Sequence, residues 1–316
     1  MPSRLSPRIV LQAVILIGAL VACGIALADQ WPSISSRVQR LGPTPVIAAV
    51  GLTLVATFAS MMSWRALLAD IGSPLPIKPS ARIYLLSAIG KYLPGSVWPY
   101  MAQMEMGRRY DIPRPRSGAS AILAVLIALS SGLLIAAVTT PWTSASAMRT
   151  YWPVFLAVPV LLAAVHPAVA NRLVGITMRL LKRPPLDQSL SWSGLSISAA
   201  WSTLTWVAFG LQIWVLCDAI AKVDARAPIQ CIGAYALAWS AGFLVVIAPA
   251  GAGIREVALT AVLSSIMPAP AALTVALISR AVTTTCDFGA AAVAMSLRSG
   301  PQPVDQATET TVSPPS

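Results

Sequence analysis

Apolar runs of about 18 residues or more recur along the sequence, and each can cross the roughly 30 Å hydrocarbon core of a bilayer as a helix. Charged residues make up only 10% of the 316 residues, whereas an ordinary globular domain carries roughly a quarter. The sequence therefore predicts an all-α, polytopic membrane helix bundle and excludes an ordinary soluble domain.

The apolar runs predict about eight transmembrane helices in a single integral membrane domain of residues 1–298. The seventh run is shorter than the others and could re-enter the membrane instead of crossing it. Residues 299–316 are rich in Pro, Thr and Ser and lack aromatic side chains, which predicts a disordered cytoplasmic tail. The predicted spans are Ile9–Ala28, Val46–Trp64, Gly118–Thr140, Tyr151–Ala170, Leu195–Cys217, Ile229–Ala248, Ile254–Met267 and Ala271–Leu297.

The distribution of basic residues predicts the orientation of the chain. The formal net charge is +11, and most Lys and Arg residues lie in segments that share a side with the N-terminus. Short positively charged loops stay in the cytoplasm, so we expect both termini to be cytoplasmic, in a multi-pass protein of the cytoplasmic membrane. In this setting the charge indicates anionic lipid headgroups and not nucleic acid as the partner.

The first of two interrupted segments surrounds Leu93–Gly95. We expect Ser80 to cap a helix that ends there, and Ser96 to cap a second helix that follows. The second helix would point its free N–H groups, the positive end of its dipole, at the break, where Lys91 adds a full charge. The pattern predicts an anion site, and the alternative is an ordinary turn at the membrane surface.

The second interruption is Ala248–Gly253, which follows a span and opens a helix. Arg255 lies in the first turn of that helix, where the dipole repels a cation, while Glu256 has the favoured position. Adjacent residues on a helix do not face each other, so Glu256 is a poor partner for Arg255. We expect another anion, a lipid phosphate or a carboxylate, to offset the charge. Nonspecific contact with lipid headgroups is the alternative.

Two charged residues, Arg280 and Asp287, lie inside the last predicted span. They are seven positions apart, hence on one helix face and roughly 10 Å apart along the axis. Charges at that depth are costly unless they face protein or water. They therefore either bracket a polar cavity along a charge path or have partners elsewhere, Arg280 with Glu256 and Asp287 with Lys91.

Three further features carry weaker predictions. Glu105 could pair with Arg109 one helical turn later. Cys217 and Cys231 end two successive spans and are first interpreted as small buried hydrophobes, although they could form a disulfide on an oxidising side. In residues 171–183, apolar and basic side chains lie on different helix faces, which predicts a helix in the membrane interface or one packed on the bundle.

Motifs for soluble chemistry do not occur in the sequence. It has no Gly-Lys-Ser/Thr phosphate loop, no His-Glu-x-x-His and no nucleophile elbow. One histidine cannot build a multi-histidine metal site. We therefore expect no cofactor, no metal, no catalytic residues and no ATP-driven pumping by this chain alone.

The two interruptions resemble a known family. Gly90–Trp98 reads GKYLPGSVW and Pro249–Glu256 reads PAGAGIRE. They are similar to the G-K-x-x-P-G-x-x-W and P-G-G-x-G-x-R-E blocks of the lysylphosphatidylglycerol synthase transmembrane-region family. That family includes the flippase half of multiple peptide resistance factor proteins and stand-alone members. The resemblance covers roughly residues 5–298, and Ala250 stands where the family usually has glycine.

The resemblance implies a membrane domain that moves or handles a polar lipid, whether anionic, aminoacylated or sugar-linked. In the two-part proteins, a soluble transferase domain makes the aminoacylated lipid. The sequence given contains no such domain, so we expect a stand-alone member without synthase activity.

The leading hypothesis is a flippase-like lipid translocator, in which the two interrupted segments meet at a shared cavity. One alternative is a scaffold or accessory subunit for a separately encoded glycosyltransferase or lipid synthase. Another is a membrane-embedded transferase with Glu105 or Glu256 as base. In the leading hypothesis, Arg280 and Asp287 form the intramembrane charge path, and the headgroup-binding residues are Lys91, Pro94, Gly95, Ser96, Trp98, Gly251, Gly253, Arg255 and Glu256.

Overall fold

The computed structural model describes residues 41–93, 97–139, 159, 163, 166–180, 188–244, 251 and 253–296. All regular secondary structure in these residues is helical, which confirms the predicted all-α class. Two 3₁₀ turns, Ile89–Tyr92 and Arg108–Tyr110, accompany the α-helices. The α-helices are α1 (Pro43–Asp70), α2 (Ile77–Ala88), α3 (Trp98–Gly107), α4 (Arg114–Thr139), α5 (Pro167–Leu180), α6 (Trp192–Ala221), α7 (Ala227–Leu244), α8 (Ile254–Leu263) and α9 (Ala269–Ser296).

Four described helices, α1, α4, α6 and α9, are long and apolar enough to cross a membrane. By length and composition these four helices fit the polytopic membrane protein that the apolar runs predict. The count of about eight spans stays a prediction. The predicted first span Ile9–Ala28, most of Tyr151–Ala170 and the tail 299–316 lie outside the described residues.

The predicted span Ile254–Met267 contains only a short helix. Its helix α8 has 10 residues, which rise about 15 Å and therefore cover about half of the hydrocarbon core. Helix α8 packs against both α7 and α9. Gly251, just before it, has a φ of +67° and lies so close to Gly242 of α7 that a Cβ would be 3.2 Å from the Gly242 Cα. This geometry favours the re-entrant alternative.

Helices α1 and α6 form the main helix pair of the bundle, and small residues fill their contact. Ala56 and Ala59 are fully buried, and the Ser63 and Ser198 hydroxyls lie 2.8 Å apart across the pair. Lipid tails are as apolar as the side chains, so helices associate in membranes through close packing and interhelical hydrogen bonds. The small residues of α1 allow that close packing.

The first interrupted segment has the predicted break but a different start. Helix α2 begins at Ile77, so the prediction that Ser80 caps it is wrong: its hydroxyl instead donates to the Pro76 carbonyl oxygen at 2.8 Å. Leu93 is extended, with φ −84° and ψ 145°, which is the conformation expected before a proline. The predicted cap Ser96 lies outside the described residues, and α3 begins at Trp98.

Glu105 has partners other than the predicted one. Its carboxylate contacts Arg108 at 3.2 Å and Arg114 at 2.6 Å, so the predicted pair with Arg109 is wrong. The α-helix ends at Gly107 and continues as a 3₁₀ turn, which removes the α-helical spacing that an i,i+4 pair requires. The hydrogen bond from Arg114 lowers the pKa of this exposed carboxyl below its ordinary value.

The two cysteines near the α6–α7 connection are free and buried. The sulfur atoms of Cys217 and Cys231 lie 4.0 Å apart, about twice the length of a disulfide bond. Helix α5 has the predicted amphipathic surface, with Leu173 and Ile176 exposed beside the basic Arg172. Its position in the membrane interface stays a prediction.

Candidate functional site

A cavity of about 270 Å³ lies between the helices. Every helix of the bundle except α5 contributes to its wall. The first interrupted segment contributes Lys91, and the second contributes Gly251 and Arg255. The two interruptions therefore meet at one cavity, as the sequence predicts.

The first ion pair of the cavity joins Lys91 to Asp287 of α9. The Lys91 ammonium lies 2.6 Å from Asp287 Oδ2, and the Tyr92 hydroxyl donates to the same oxygen at 2.6 Å. The Tyr92 ring stacks on Phe288 with centroids 5.3 Å apart. The Asp287 side chain is only 5% exposed. This contact confirms the predicted pairing and provides the buried carboxylate with a cation and a hydroxyl donor.

The second ion pair joins Arg280 of α9 to Glu256 of α8. Arg280 Nη1 lies 3.3 Å from Glu256 Oε1, which confirms the predicted pairing. The other carboxylate oxygen accepts the Gly253 N–H at 2.7 Å. Gly253 is the N-cap residue of α8 and has φ +84°. In a capping box two side chains bond to backbone N–H groups, but glycine has no side chain, so only the bond made by Glu256 is present here. Glu256 thus holds the start of α8 and binds α9.

Arg255 rests on an aromatic residue instead of an acidic one. Its guanidinium donates to the Tyr235 hydroxyl and its Cζ lies 4.5 Å from the centre of the Tyr235 ring. This geometry combines a hydrogen bond with a cation–π contact. Among the described residues, no carboxylate pairs with Arg255. Of the two anions that the sequence predicts beside Arg255, a carboxylate is therefore not found in the described residues, and a lipid phosphate stays a prediction.

The remaining predicted residues of the first block lie beside the cavity or outside the described residues. Trp98 is 44% exposed and does not line the wall, whereas its neighbours Pro99 and Tyr100 do. A Cβ on Gly90 would lie 2.9 Å from the Pro99 nitrogen, so glycine lets the 3₁₀ turn contact the start of α3. Pro94–Ser96 lie outside the described residues.

An aromatic face of α7 lines the cavity, and the sequence reasoning above missed it. Tyr235, Trp239 and Phe243 are spaced four residues apart and thus lie on one helix face. Trp206 of α6 packs on Trp239 with ring centroids 5.2 Å apart. The four-residue spacing of these large aromatic rings inside an apolar run is the sequence feature that indicates this face.

The sequence was compared with models of known protein families. A model described as "Lysylphosphatidylglycerol synthase TM region" matches residues 10–288. The chain belongs to this family. A search of curated proteins found no match to the chain.

Membership of the lysylphosphatidylglycerol synthase transmembrane-region family indicates a role connected with membrane lipids. The matched residues include both interruptions and the two ion pairs, Lys91–Asp287 and Arg280–Glu256. The described part of this family member thus combines a charged, aromatic-lined cavity with helices that can cross a membrane.

Proposed function

We propose that the chain is a lipid translocator that binds the phosphate of an anionic lipid in the cavity and moves the headgroup across the cytoplasmic membrane. The observation that carries the proposal is Arg255, a cation on the cavity wall whose guanidinium makes its hydrogen bond and its cation–π contact with Tyr235. A guanidinium presents several N–H donors in a planar fork that matches phosphate oxygens.

The charge distribution around the cavity supports an anionic ligand. Lys91, Arg255 and Arg280 line the wall. Asp287 pairs with Lys91 and Glu256 pairs with Arg280, while no carboxylate of the described residues pairs with Arg255. This group holds three cations and two carboxylates, so one positive charge remains. A lipid phosphodiester carries the single negative charge that would balance it.

The surface beside the first interruption supports contact between the site and lipid. Leu93, Val97 and Met101 are each more than half exposed, and they flank Pro99 and Tyr100 of the wall. Apolar side chains exposed on a membrane protein face acyl chains at low cost. A lipid could keep its tails against this surface while its headgroup enters the cavity.

No nucleotide-binding motif occurs in the sequence, so the proposed movement is downhill or coupled to ions through a carboxylate. The orientation with both termini in the cytoplasm belongs to the same proposal. It follows from the basic residues of the predicted cytoplasmic segments.

Reconstitution tests the proposed function. The purified chain is placed in phosphatidylcholine vesicles that hold a trace of phosphatidylglycerol with a headgroup-side fluorophore, and a membrane-impermeant reductant quenches the outer leaflet. Translocation makes nearly all of the fluorescence accessible, whereas empty vesicles protect about half.

A matched pair of variants assigns the movement to the cavity. Arg255→Gln should abolish it, while Arg109→Gln, the same change at an exposed position away from the cavity wall, should leave it intact. Protection of half of the fluorescence by the folded wild-type protein would overturn the translocator proposal and favour the scaffold hypothesis. Equal activity of Arg255→Gln and wild type would overturn the assignment of Arg255.

A further inference from the structure

Asp287 is the only carboxylate among the described residues that line the cavity. Glu256, the acid of the other ion pair, does not line the wall, and its two oxygens are bonded to a guanidinium and to a backbone N–H. Asp287 is bonded at one oxygen only. The Lys91 ammonium and the Tyr92 hydroxyl both contact Oδ2, and no contact within the described residues involves Oδ1. Asp287 therefore lines the cavity with one oxygen that the described residues do not use.

The groups that face Asp287 are cationic or phenolic. Helix α9 packs mainly against α1, α2, α6, α8 and the 3₁₀ turn Ile89–Tyr92. The wall residues of α1 and α6 carry no charge, and the wall also holds one tyrosine from α3 and one from α7. The other titratable side chains on the described wall are Lys91 and Tyr92 of the 3₁₀ turn, Tyr84 of α2, Arg255 of α8 and Arg280 of α9. A proton that neutralises a carboxylate of this wall can therefore bind only at Asp287.

The two partners of the Lys91–Asp287 pair differ in what they can reach. The Lys91 side chain is 36% exposed, has a flexible four-carbon stem and lines the same cavity as Arg255. An anionic headgroup that binds Arg255 therefore competes with Asp287 for the Lys91 ammonium. The Asp287 side chain is only 5% exposed, so water cannot replace the lost cation. A buried carboxylate without a cation is neutralised by a proton, because the unpaired charge is too costly.

The exchange balances with one proton. The Lys91 ammonium keeps its own protons and moves from Asp287 Oδ2 to a phosphate oxygen. A proton from water then forms an O–H bond at Asp287 Oδ1, while Oδ2 still accepts from the Tyr92 hydroxyl. A metal cation in the same place would need several oxygen ligands and would lie beside the cations of the wall. A proton needs one lone pair.

We infer that Asp287 takes up one proton when an anionic lipid headgroup binds, and that the chain carries this proton across the membrane with the lipid. The inference rests on the proposed function, because it assumes that Arg255 holds the phosphate. Linkage requires that the proton and the phosphodiester each raise the affinity for the other. The two ligands carry opposite unit charges, so their joint movement is electroneutral and responds to a pH gradient.

Retention of lipid at different pH values tests the linkage. The full chain in detergent is equilibrated with phosphatidylglycerol between about pH 5 and about pH 9, separated from free lipid, and analysed by mass spectrometry for bound lipid. The phosphodiester stays ionised over this range. Wild-type retention should be highest at low pH and fall as the pH rises, by at most about tenfold per pH unit, the limit for one proton per lipid.

Neutral substitutions of the two acids provide the matched test. Asp287→Asn resembles the protonated carboxyl and should retain the lipid at every pH as wild type does at low pH. Glu256→Gln removes the same charge from an acid that does not line the wall, and its retention should still fall with pH. Tyr92→Phe keeps the stacking on Phe288 but removes one donor from the carboxylate. Because that donor favours the charged form, retention by Tyr92→Phe should fall at a higher pH than in wild type.

A pH gradient tests whether the proton moves with the lipid. In proteoliposomes with an acidic interior, labelled phosphatidylglycerol should accumulate in the outer leaflet, which faces the alkaline side. A proton ionophore should abolish this asymmetry, and replacing sodium by a large organic cation should not change it. Vesicles with Asp287→Asn should keep the label evenly distributed.

The outcomes separate this inference from the proposed function. Failure of the wild type to retain phosphatidylglycerol over phosphatidylcholine at any pH would overturn both. Wild-type retention that does not change with pH, a pH dependence that persists in Asp287→Asn, or an asymmetry that follows sodium would overturn the inference alone. If Asp287→Asn does not fold, Tyr92→Phe decides, and an unchanged midpoint in that variant would overturn the role of Asp287.

Discussion

The Lys91 ammonium lies 2.6 Å from the Asp287 carboxylate and so ties the first interrupted segment to α9. The two sides of this pair differ in their access to water. The lysine side chain is 36% exposed and the aspartate side chain 5%. An ion pair with one buried partner responds differently to the loss of either charge, because only the buried charge is left without solvation.

This asymmetry predicts different costs for two neutral substitutions. Lys91→Met leaves a buried carboxylate without its cation and should lower the free energy of unfolding by about 3 kcal/mol. Asp287→Asn leaves a lysine that reaches water, and should cost less. The unfolding midpoints of both variants, measured in one detergent, test this. The double variant should recover part of the Lys91→Met loss, and a larger loss for Asp287→Asn would contradict the prediction.

Helices α6 and α7 approach closely at Gly210. A Cβ there would lie 2.3 Å from the Ile232 Cα, a backbone atom that moves only if the helices separate. Gly210→Ala should therefore lower the free energy of unfolding by about 1–3 kcal/mol.

Gly51 of α1 is the matched control, because a Cβ there meets nothing within 4 Å. Gly51→Ala should be neutral or stabilising by up to about 1 kcal/mol, since alanine loses less backbone entropy in a helix. Equal midpoints for Gly210→Ala and Gly51→Ala would show that the α6–α7 contact tolerates a methyl group.

Two substitutions of Glu256 distinguish its hydrogen bond at the start of α8 from its ion pair with Arg280. Glu256→Gln and Glu256→Ala both remove the ion pair with Arg280, but glutamine keeps an oxygen for the Gly253 N–H. Glu256→Ala should therefore be less stable than Glu256→Gln by about 1 kcal/mol, the usual value of a helix cap. The difference between their unfolding midpoints measures the cap, and a glutamine variant no more stable than the alanine variant would argue against it.

Tyr235 positions Arg255 through its hydroxyl and its ring. Tyr235→Phe keeps the cation–π contact and loses one hydrogen bond, so retention of anionic lipid should fall only a few-fold. Tyr235→Leu loses both contacts and should lower retention further. Lipid extraction from the purified variants measures the effect, and full retention by Tyr235→Leu would exclude a positioning role.

From the sequence, both ion pairs of the cavity were one of two alternatives, and the structure contains both pairs. Arg280 and Asp287 stand inside an apolar run, and the cost of unpaired charge in a bilayer leaves few alternatives to partners such as Glu256 and Lys91. The break at Leu93 was predictable for a similar reason, because the residue before a proline avoids the helical conformation. In both cases one strong physical constraint acts on a few residues.

Features set by weak local preferences were predicted less well. Ser80 has the residue type of a helix cap, but α2 begins at Ile77 and the hydroxyl bonds within the first turn. Glu105 pairs with Arg108 and Arg114, and not with Arg109, because a 3₁₀ turn follows α3. A single helix cap or exposed ion pair contributes about 1 kcal/mol or less, so tertiary packing decides which of the possible local contacts forms.

The contacts of the aromatic face of α7 depend on which helices become neighbours. Tyr235 and Arg255 meet only because Gly242 and Gly251 let α7 and α8 approach closely. Sequence spacing within one helix predicts a face, but the partner of that face comes from the tertiary structure.

Mass spectrometry of the lipids that remain bound to the purified protein tests the central claim most directly. Wild type and Arg109→Gln should both carry one enriched class of anionic lipid, and Arg255→Gln should lose it, because Arg255 is the cation of the cavity wall that the described residues leave without a carboxylate. If all three proteins instead carry the same bulk membrane lipids, Arg255 does not bind a headgroup and the cavity is not a lipid site.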